Sequence, residues 1–246
     1  AASHRGGTFQ LFSGGAGVRD NFERCLAITL KHEGGWADHP QDPGGATMKG
    51  VTIGTYSQWL GRKATKAELR AIPEAHLRAI YRRNYWDKVR GDDLPAGLDL
   101  VAFDGAVNSG PARGARWLQM GLGVSADGRV GVQTIAAANA AEPLPVVLRA
   151  VDARMAFLRG LKTWQTFGNG WLRRVVEIQA AAQVMIGSDD APMSSPSAAN
   201  KAGLPPVEVQ PLTTKPVVVS ESPFHSHQSF WARLIMALIG IWRGRA

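Results

Sequence analysis

Apolar positions near the start of the chain recur at helical spacing. Phe22, Leu26 and Thr29 lead to Glu33 by steps of three and four, with Cys25 and Leu30 beside them. That is the period of one helix face. Gly34-Gly35 is expected to stop the helix, because glycine accepts the backbone conformations of a helix end. Thr65-x-x-Glu68 reads as a capping box opening a second helix, and Pro73-Glu74 opens another through about Trp86. The apolar run 98–107 predicts a fourth helix, broken by Ser109-Gly110-Pro111, which starts a fifth through Met120. Further helices are expected over 131–141, 144–161 and 172–186. Between them, 39–53 carries Pro and Gly punctuation around Val51-Thr52-Ile53 and predicts a small loop or β element. The stretch 188–228 shows neither period and holds 7 of the 14 prolines, so it reads as an extended linker. An apolar segment, 229–246, follows it. No internal repeat is present, and the pattern implies a mainly α protein.

Composition narrows the classes. With 246 residues, 45% of them hydrophobic, the chain can bury a core and is not disordered by composition. A single cysteine, Cys25, excludes an internal disulfide and a cysteine-rich zinc site. On the apolar stripe it reads as a small buried hydrophobe. The net charge of +8 points to a polyanionic partner: nucleic acid, acidic lipid or an anionic wall. The excess divides into +1 from Arg5 in the leader, +6 over 19–187, −2 over 188–228 and +3 over 229–246. No nucleic-acid-binding motif accompanies the basic residues between Arg62 and Arg83, so no nucleic-acid partner is expected.

Glu33 is the most informative residue. It lies on the apolar stripe of its helix, at the end where the macrodipole disfavours an acid. Burial there would raise its pKa and keep it protonated near neutrality. A protonated carboxyl in a cleft is what a glycosidase uses to donate a proton to a leaving oxygen. A solvated boundary glutamate is the competing reading. The residues that follow weigh against it: Gly34-Gly35, then Asp38, His39 and Asp42, then Pro43-Gly44-Gly45-Ala46-Thr47. An acid, a Gly-rich polar loop, a second acid and a hydroxyl fall within 15 residues.

The runs Glu33-Gly34-Gly35-Trp36, Asp42-Pro43-Gly44-Gly45-Ala46-Thr47 and Gly50-Val51-Thr52 resemble the signature of glycoside hydrolase family 108, lysozyme-like N-acetylmuramidases. Phe103-Asp104-Gly105-Ala106-Val107-Asn108-Ser109-Gly110 and Trp117-Leu118-Gln119 followed by Asp127-Gly128 resemble later parts of the family. The region from Asp152 through Gly170-Trp171-Leu172-Arg173-Arg174 resembles the small peptidoglycan-associated module that accompanies it. The resemblance implies a lysozyme-like helical catalytic domain (19–143) and a helical module (144–187), set between the Gly-, Ala- and Ser-rich leader (1–18) and the linker (188–228) with its amphipathic basic helix (229–246). It implies Glu33 as the catalytic acid. Asp42 would act as the base or as an electrostatic stabiliser, with Thr47, or Thr52 in its place, holding the attacking water. It implies peptidoglycan glycan strands as substrate, cleavage of the β-1,4 bond between N-acetylmuramic acid and N-acetylglucosamine, no cofactor and no metal.

Other residues are candidates for lining a sugar cleft. Trp36, Tyr56, Tyr85 and Trp86 offer apolar ring faces for stacking, against a core role for each. Asp104 and Asn108 stand four apart on one helix face, against a plain helix-end polar pair. The tail holds nine consecutive apolar residues, 234–242, ending in Trp242 and followed by Arg243 and Arg245; Trp231 and Arg233 precede them. That is short of a bilayer span and suits contact with an anionic membrane interface. The leader has no apolar run of signal-peptide type. A monomer made in the host cytoplasm and acting at the periplasmic wall after release, as an endolysin, is expected. Lytic transglycosylation, chitinase-like action and non-catalytic wall binding are the alternatives.

Overall fold

The computed structural model describes residues 18–39 and 45–189. The expected leader up to residue 17, the linker from residue 190 and the tail 229–246 lie outside the described residues. The chain runs α1 (Val18–Leu30), β1 (Trp36–Ala37), β2 (Thr47–Met48), β3 (Val51–Thr52), α2 (Ile53–Leu60), α3 (Lys66–Arg70) and α4 (Glu74–Tyr81). A π-helical turn (Arg82–Trp86) and two 3-10 turns (Asp87–Val89, Gly91–Asp93) lead into α5 (Leu98–Ser109). There follow α6 (Pro111–Leu122), α7 (Val132–Ala140), α8 (Pro143–Arg159) and α9 (Trp164–Asp189). The mainly α expectation holds, and the small β element is an antiparallel sheet in the order β1-β2-β3. Trp36 stands opposite Met48, and Thr47 opposite Thr52.

Helix α5 is the axis of the fold. Every residue from Leu98 to Asn108 is buried, because the helix is apolar nearly all round and must be covered on all sides. α1, α6, α8 and α9 cover it. The approach of α6 is close enough that a Cβ on Gly114 would lie 2.5 Å from the backbone oxygen of Ala102. Only glycine fits there. Beside α5, Phe22, Trp86 and Phe103 pack edge to face, with centroids 5.3–6.1 Å apart. Such pairs contribute about 1 kcal/mol each beyond the area they bury.

Most helix ends fall at the expected punctuation. Thr65 accepts from the Glu68 amide at 3.2 Å while the Glu68 carboxylate accepts from the Thr65 amide at 2.8 Å, the reciprocal capping box. Pro111 takes the first turn of α6 after Gly110, whose φ is 91°. Asp127-Gly128 forms a turn clamped by Gln119, whose Nε2 donates to Asp127 Oδ1 at 2.7 Å. Cys25 is fully buried in the core, and burial pushes its thiol well up.

One helix, α2, has no counterpart among the expected elements, and three others differ in extent or type. The first helix ends at Leu30, so Glu33 sits in the turn after it, its amide bonded to the Leu30 carbonyl at 3.2 Å. The helix expected through Trp86 widens into a π turn at Arg82, with Trp86 turned fully into the core. α9 starts at Trp164 rather than 172, because Trp164, Phe167 and Trp171 stack along its first turns.

Candidate active site

Glu33 is held at the junction of four elements. It is 5% exposed, and its Oε1 lies 2.8 Å from the Arg174 guanidinium of α9. Its Oε2 faces the turn between β2 and β3: a Cβ on Gly50 would stand 2.8 Å from that oxygen and overlap the Tyr81 hydroxyl. Gly50 has φ 76°, so glycine is required there twice over, for space and for backbone. Tyr81 donates to the Lys49 carbonyl at 2.8 Å and fixes that turn above the acid. Burial pushes the Glu33 carboxyl up, and the Arg174 charge opposes it; burial wins. The expectation of a buried acid with a raised pKa is met in geometry and in direction.

Arg174 does not serve Glu33 alone. Its Nε and Nη2 donate to Asp104 Oδ1 at 3.0 and 2.7 Å. Arg154 of α8 donates to Asp104 Oδ2 at 2.6 Å and to Asn108 Oδ1 at 3.0 Å. Two carboxyls and two guanidiniums thus form one buried cluster. Burial pushes Asp104 up, but the charges and hydrogen bonds of Arg174 and Arg154 together hold it down at about 2. Asp104 therefore stays ionised and absorbs much of the Arg174 charge. That leaves Arg174 able to fix the Glu33 carboxyl while its pull on the Glu33 proton is weakened. His32 packs nearby, 3.6 Å from Glu177; burial and the Arg174 charge lower its pKa.

Thr47 and Thr52 stand opposite each other on β2 and β3, so the two candidates for the water-holding hydroxyl share one place. Thr47 is 5% exposed. Thr52 caps α2, its Oγ1 accepting from the Thr55 amide at 3.1 Å, which commits that hydroxyl to the helix. Asp42 lies outside the described residues. Trp36 is half-buried on β1, with the Arg70 guanidinium 5.6 Å from its ring centre. Tyr85 is half-buried, 5.5 Å from the Tyr81 ring; burial and the Glu33 charge push its hydroxyl up to about 12. Glu33, Thr47, Thr52, Tyr81 and Tyr85 thus gather around the β2–β3 turn.

Four expected cleft residues are corrected. Trp86 is fully buried between Phe22 and Phe103, and its indole N–H is spent on Asp92 at 2.9 Å. It has no free face for a sugar. Tyr56 is 3% exposed, packed in the core with its hydroxyl 3.2 Å from His76 Nδ1. Asp104 and Asn108 do share a helix face, but that face meets Arg154 and Arg174 rather than a cleft. An aromatic or an acid on an apolar helix reads alike whether it meets core or ligand, and here the covering helices decide. Residues missed by sequence reasoning are Arg154, Tyr81 and the pairing role of Arg174. The two arginines sit on the buried faces of α8 and α9, with Ala150, Val151 and Leu158, and with Trp171, Val175 and Ile178. A charge on an apolar stripe was the signal that singled out Glu33, and it marks them equally.

The chain matches two family models: "Glycosyl hydrolase 108" over residues 26–110 and "Predicted Peptidoglycan domain" over residues 113–176. They meet at the Gly110-Pro111 break between α5 and α6. Among solved structures, the chain resembles Brucella abortus SagA at 44% identity and TM-score 0.61, covering 68% of this chain and 97% of that one. No curated protein sequence matches. The buried acid beneath the β2–β3 turn lies within the first matched segment and its arginine partners within the second, and the chain belongs to glycosyl hydrolase family 108, a glycoside hydrolase acting on peptidoglycan.

Proposed function

We propose that the chain is an N-acetylmuramidase that hydrolyses the β-1,4 bond between N-acetylmuramic acid and N-acetylglucosamine. The observation that carries this reading is Glu33: a nearly buried carboxyl, raised in pKa and clamped by Arg174 under a glycine turn. Its proton passes to O4 of the departing N-acetylglucosamine as the C1–O4 bond breaks. Water adds its hydroxyl to C1 of the muramic acid, leaving a reducing end there. Thr47 holds that water, and Asp42 serves as its base or stabilises the oxocarbenium-like transition state. The wider role is that of an endolysin, made in the host cytoplasm, acting as a monomer at the periplasmic wall and drawn to anionic membrane by 229–246.

Product analysis on purified peptidoglycan tests the chemistry. New reducing ends on muramic acid are expected from the native chain. Glu33→Gln should clear wall suspensions at least about a hundredfold more slowly, the general range for loss of a positioned proton donor, with its thermal midpoint nearly unchanged. Anhydro-muramic ends would mean transglycosylation instead. Undiminished clearance by Glu33→Gln would remove Glu33 from the mechanism.

A further inference from the structure

A shallow, open depression lies between α2 and the end of α4 with its π turn, lined by Thr55, Gln58, Trp59, Ile80, Arg83 and Asn84. It flanks the Glu33 site. Asn84 precedes Tyr85, and Thr55 lies 3.0 Å by its hydroxyl from that of Thr52, which stands opposite Thr47. Its chemistry is mixed: one half-buried indole, two amides, one hydroxyl and one guanidinium. A sugar ring with an acetamido group and a carboxylate needs a platform, amide partners and a cation.

Arg83 is the unusual member. Its neighbours in sequence are all engaged: Arg62 with Glu68, Arg78 with Glu23, Arg82 with Asp92 and Arg90 with Asp93, while Arg70 lies over the Trp36 ring. Among the described residues, Arg83 has no carboxylate or ring against it, and the Gln58 and Asn84 amides have no hydrogen-bond partner. The π turn is what places it. One extra residue in the turn sends Trp86 inward and leaves Arg83 and Asn84 on the rim of the depression.

We propose that this depression is a binding subsite for a carboxylate-bearing muramyl unit of the glycan strand, with Arg83 pairing the carboxylate and Trp59, Gln58 and Asn84 receiving the sugar. The proposal rests on the muramidase reading and names the part of the substrate that reads stem-bearing sugars. Two carboxylates qualify, one on each form of the sugar: those of the stem peptide where a stem is attached, and that of the lactyl ether once the stem, which holds it as an amide, is removed; both are absent from plain N-acetylglucosamine oligomers.

The test is calorimetric binding to full-length Glu33→Gln, with and without Arg83→Ala. Three probes are used: a stem-bearing muramyl tetrasaccharide, the same strand stripped of stems by an amidase, and N-acetylchitotetraose. Arg83→Ala should weaken about tenfold the muramyl probe whose carboxylate Arg83 pairs, as expected for losing one charged hydrogen bond. Chitotetraose affinity should change less than twofold. A loss confined to the stripped strand assigns the lactyl carboxylate, a loss confined to the stem-bearing strand assigns the stem carboxylates, and a loss on both means that Arg83 takes either. Equal loss on chitotetraose, or no loss on either muramyl probe, overturns the proposal. Because Arg83 is exposed, the thermal midpoint should not move. The binding readout is independent of turnover, so a failure of the muramidase reading would show separately, as native chain that releases no reducing muramic ends.

Discussion

Glu33 carries two opposing demands. As the proposed proton donor it must keep a proton near neutral pH, yet it must be held in one orientation, and the group that orients it is a cation. Asp104 reconciles these by taking hydrogen bonds from two of the three Arg174 nitrogens. Its negative charge also acts directly to raise the Glu33 pKa. Asp104→Asn should therefore lower that pKa. An acid must be protonated to act, so the alkaline limb of wall clearance should move to lower pH. An unmoved limb, or one displaced upward, would count against this account. The same substitution leaves two buried guanidiniums short of an anion, which costs about 3–5 kcal/mol in comparable buried pairs. The native chain should show the linked signature. Asp104 is held at about 2 against an ordinary 3.8, so its stabilisation is fully present above 3.8 and is lost as pH falls towards 2. A thermal midpoint that drops across that window in the native chain, and drops less in Asp104→Asn, is the expected result.

At the scale of elements, the β2–β3 turn is where local backbone and site chemistry coincide. Gly50→Ala forces a side chain into a left-handed backbone position and drives its Cβ onto Glu33 Oε2 and Tyr81. The strain alone costs about 1–2 kcal/mol. Gly61 is the matched control, with φ 68° and nothing within 4 Å of an added Cβ. Gly50→Ala should lose at least about tenfold in turnover, given how steeply rate depends on the placement of a reacting group. Gly61→Ala should keep its rate and cost only the backbone strain, and equal rates for the two would show that the turn does not position the acid. The reasons why some elements were legible in sequence follow the same logic. Helix ends set by local chemistry, such as the Thr65–Glu68 box and Gly110-Pro111, fall where the residues say. The π turn at Arg82 does not, because it is set by Trp86 seeking a core cavity between Phe22 and Phe103. Glu33 was legible as an acid on an apolar stripe. Trp86, Tyr56 and Asp104 were misread because residue type says what a side chain can do, while the helix packed against it decides what it does.

At the scale of the whole molecule, the buried acid Glu33 and its partners straddle the two family segments. Glu33 and Asp104 belong to 26–110, Arg154 and Arg174 to 113–176. Around them α5 gives faces to α6, α8 and α9, and Trp171, Val175, Ile178 and Met185 of α9 complete the same core. The second segment is therefore part of the catalytic body, whatever wall contact its outer face makes. A chain ending at residue 112 would strand Asp104 as a buried charge without partners and open the apolar face of α5 to water. Either loss alone amounts to several kcal/mol, against the roughly 5–15 kcal/mol of net stability typical of a domain. That truncation should give no cooperative melt and no wall clearance, measured beside the chain ending at residue 189. A truncated segment that melts cooperatively and still hydrolyses peptidoglycan would mean that Glu33 works without Arg174. The clamp drawn from α9 would then be structural rather than catalytic.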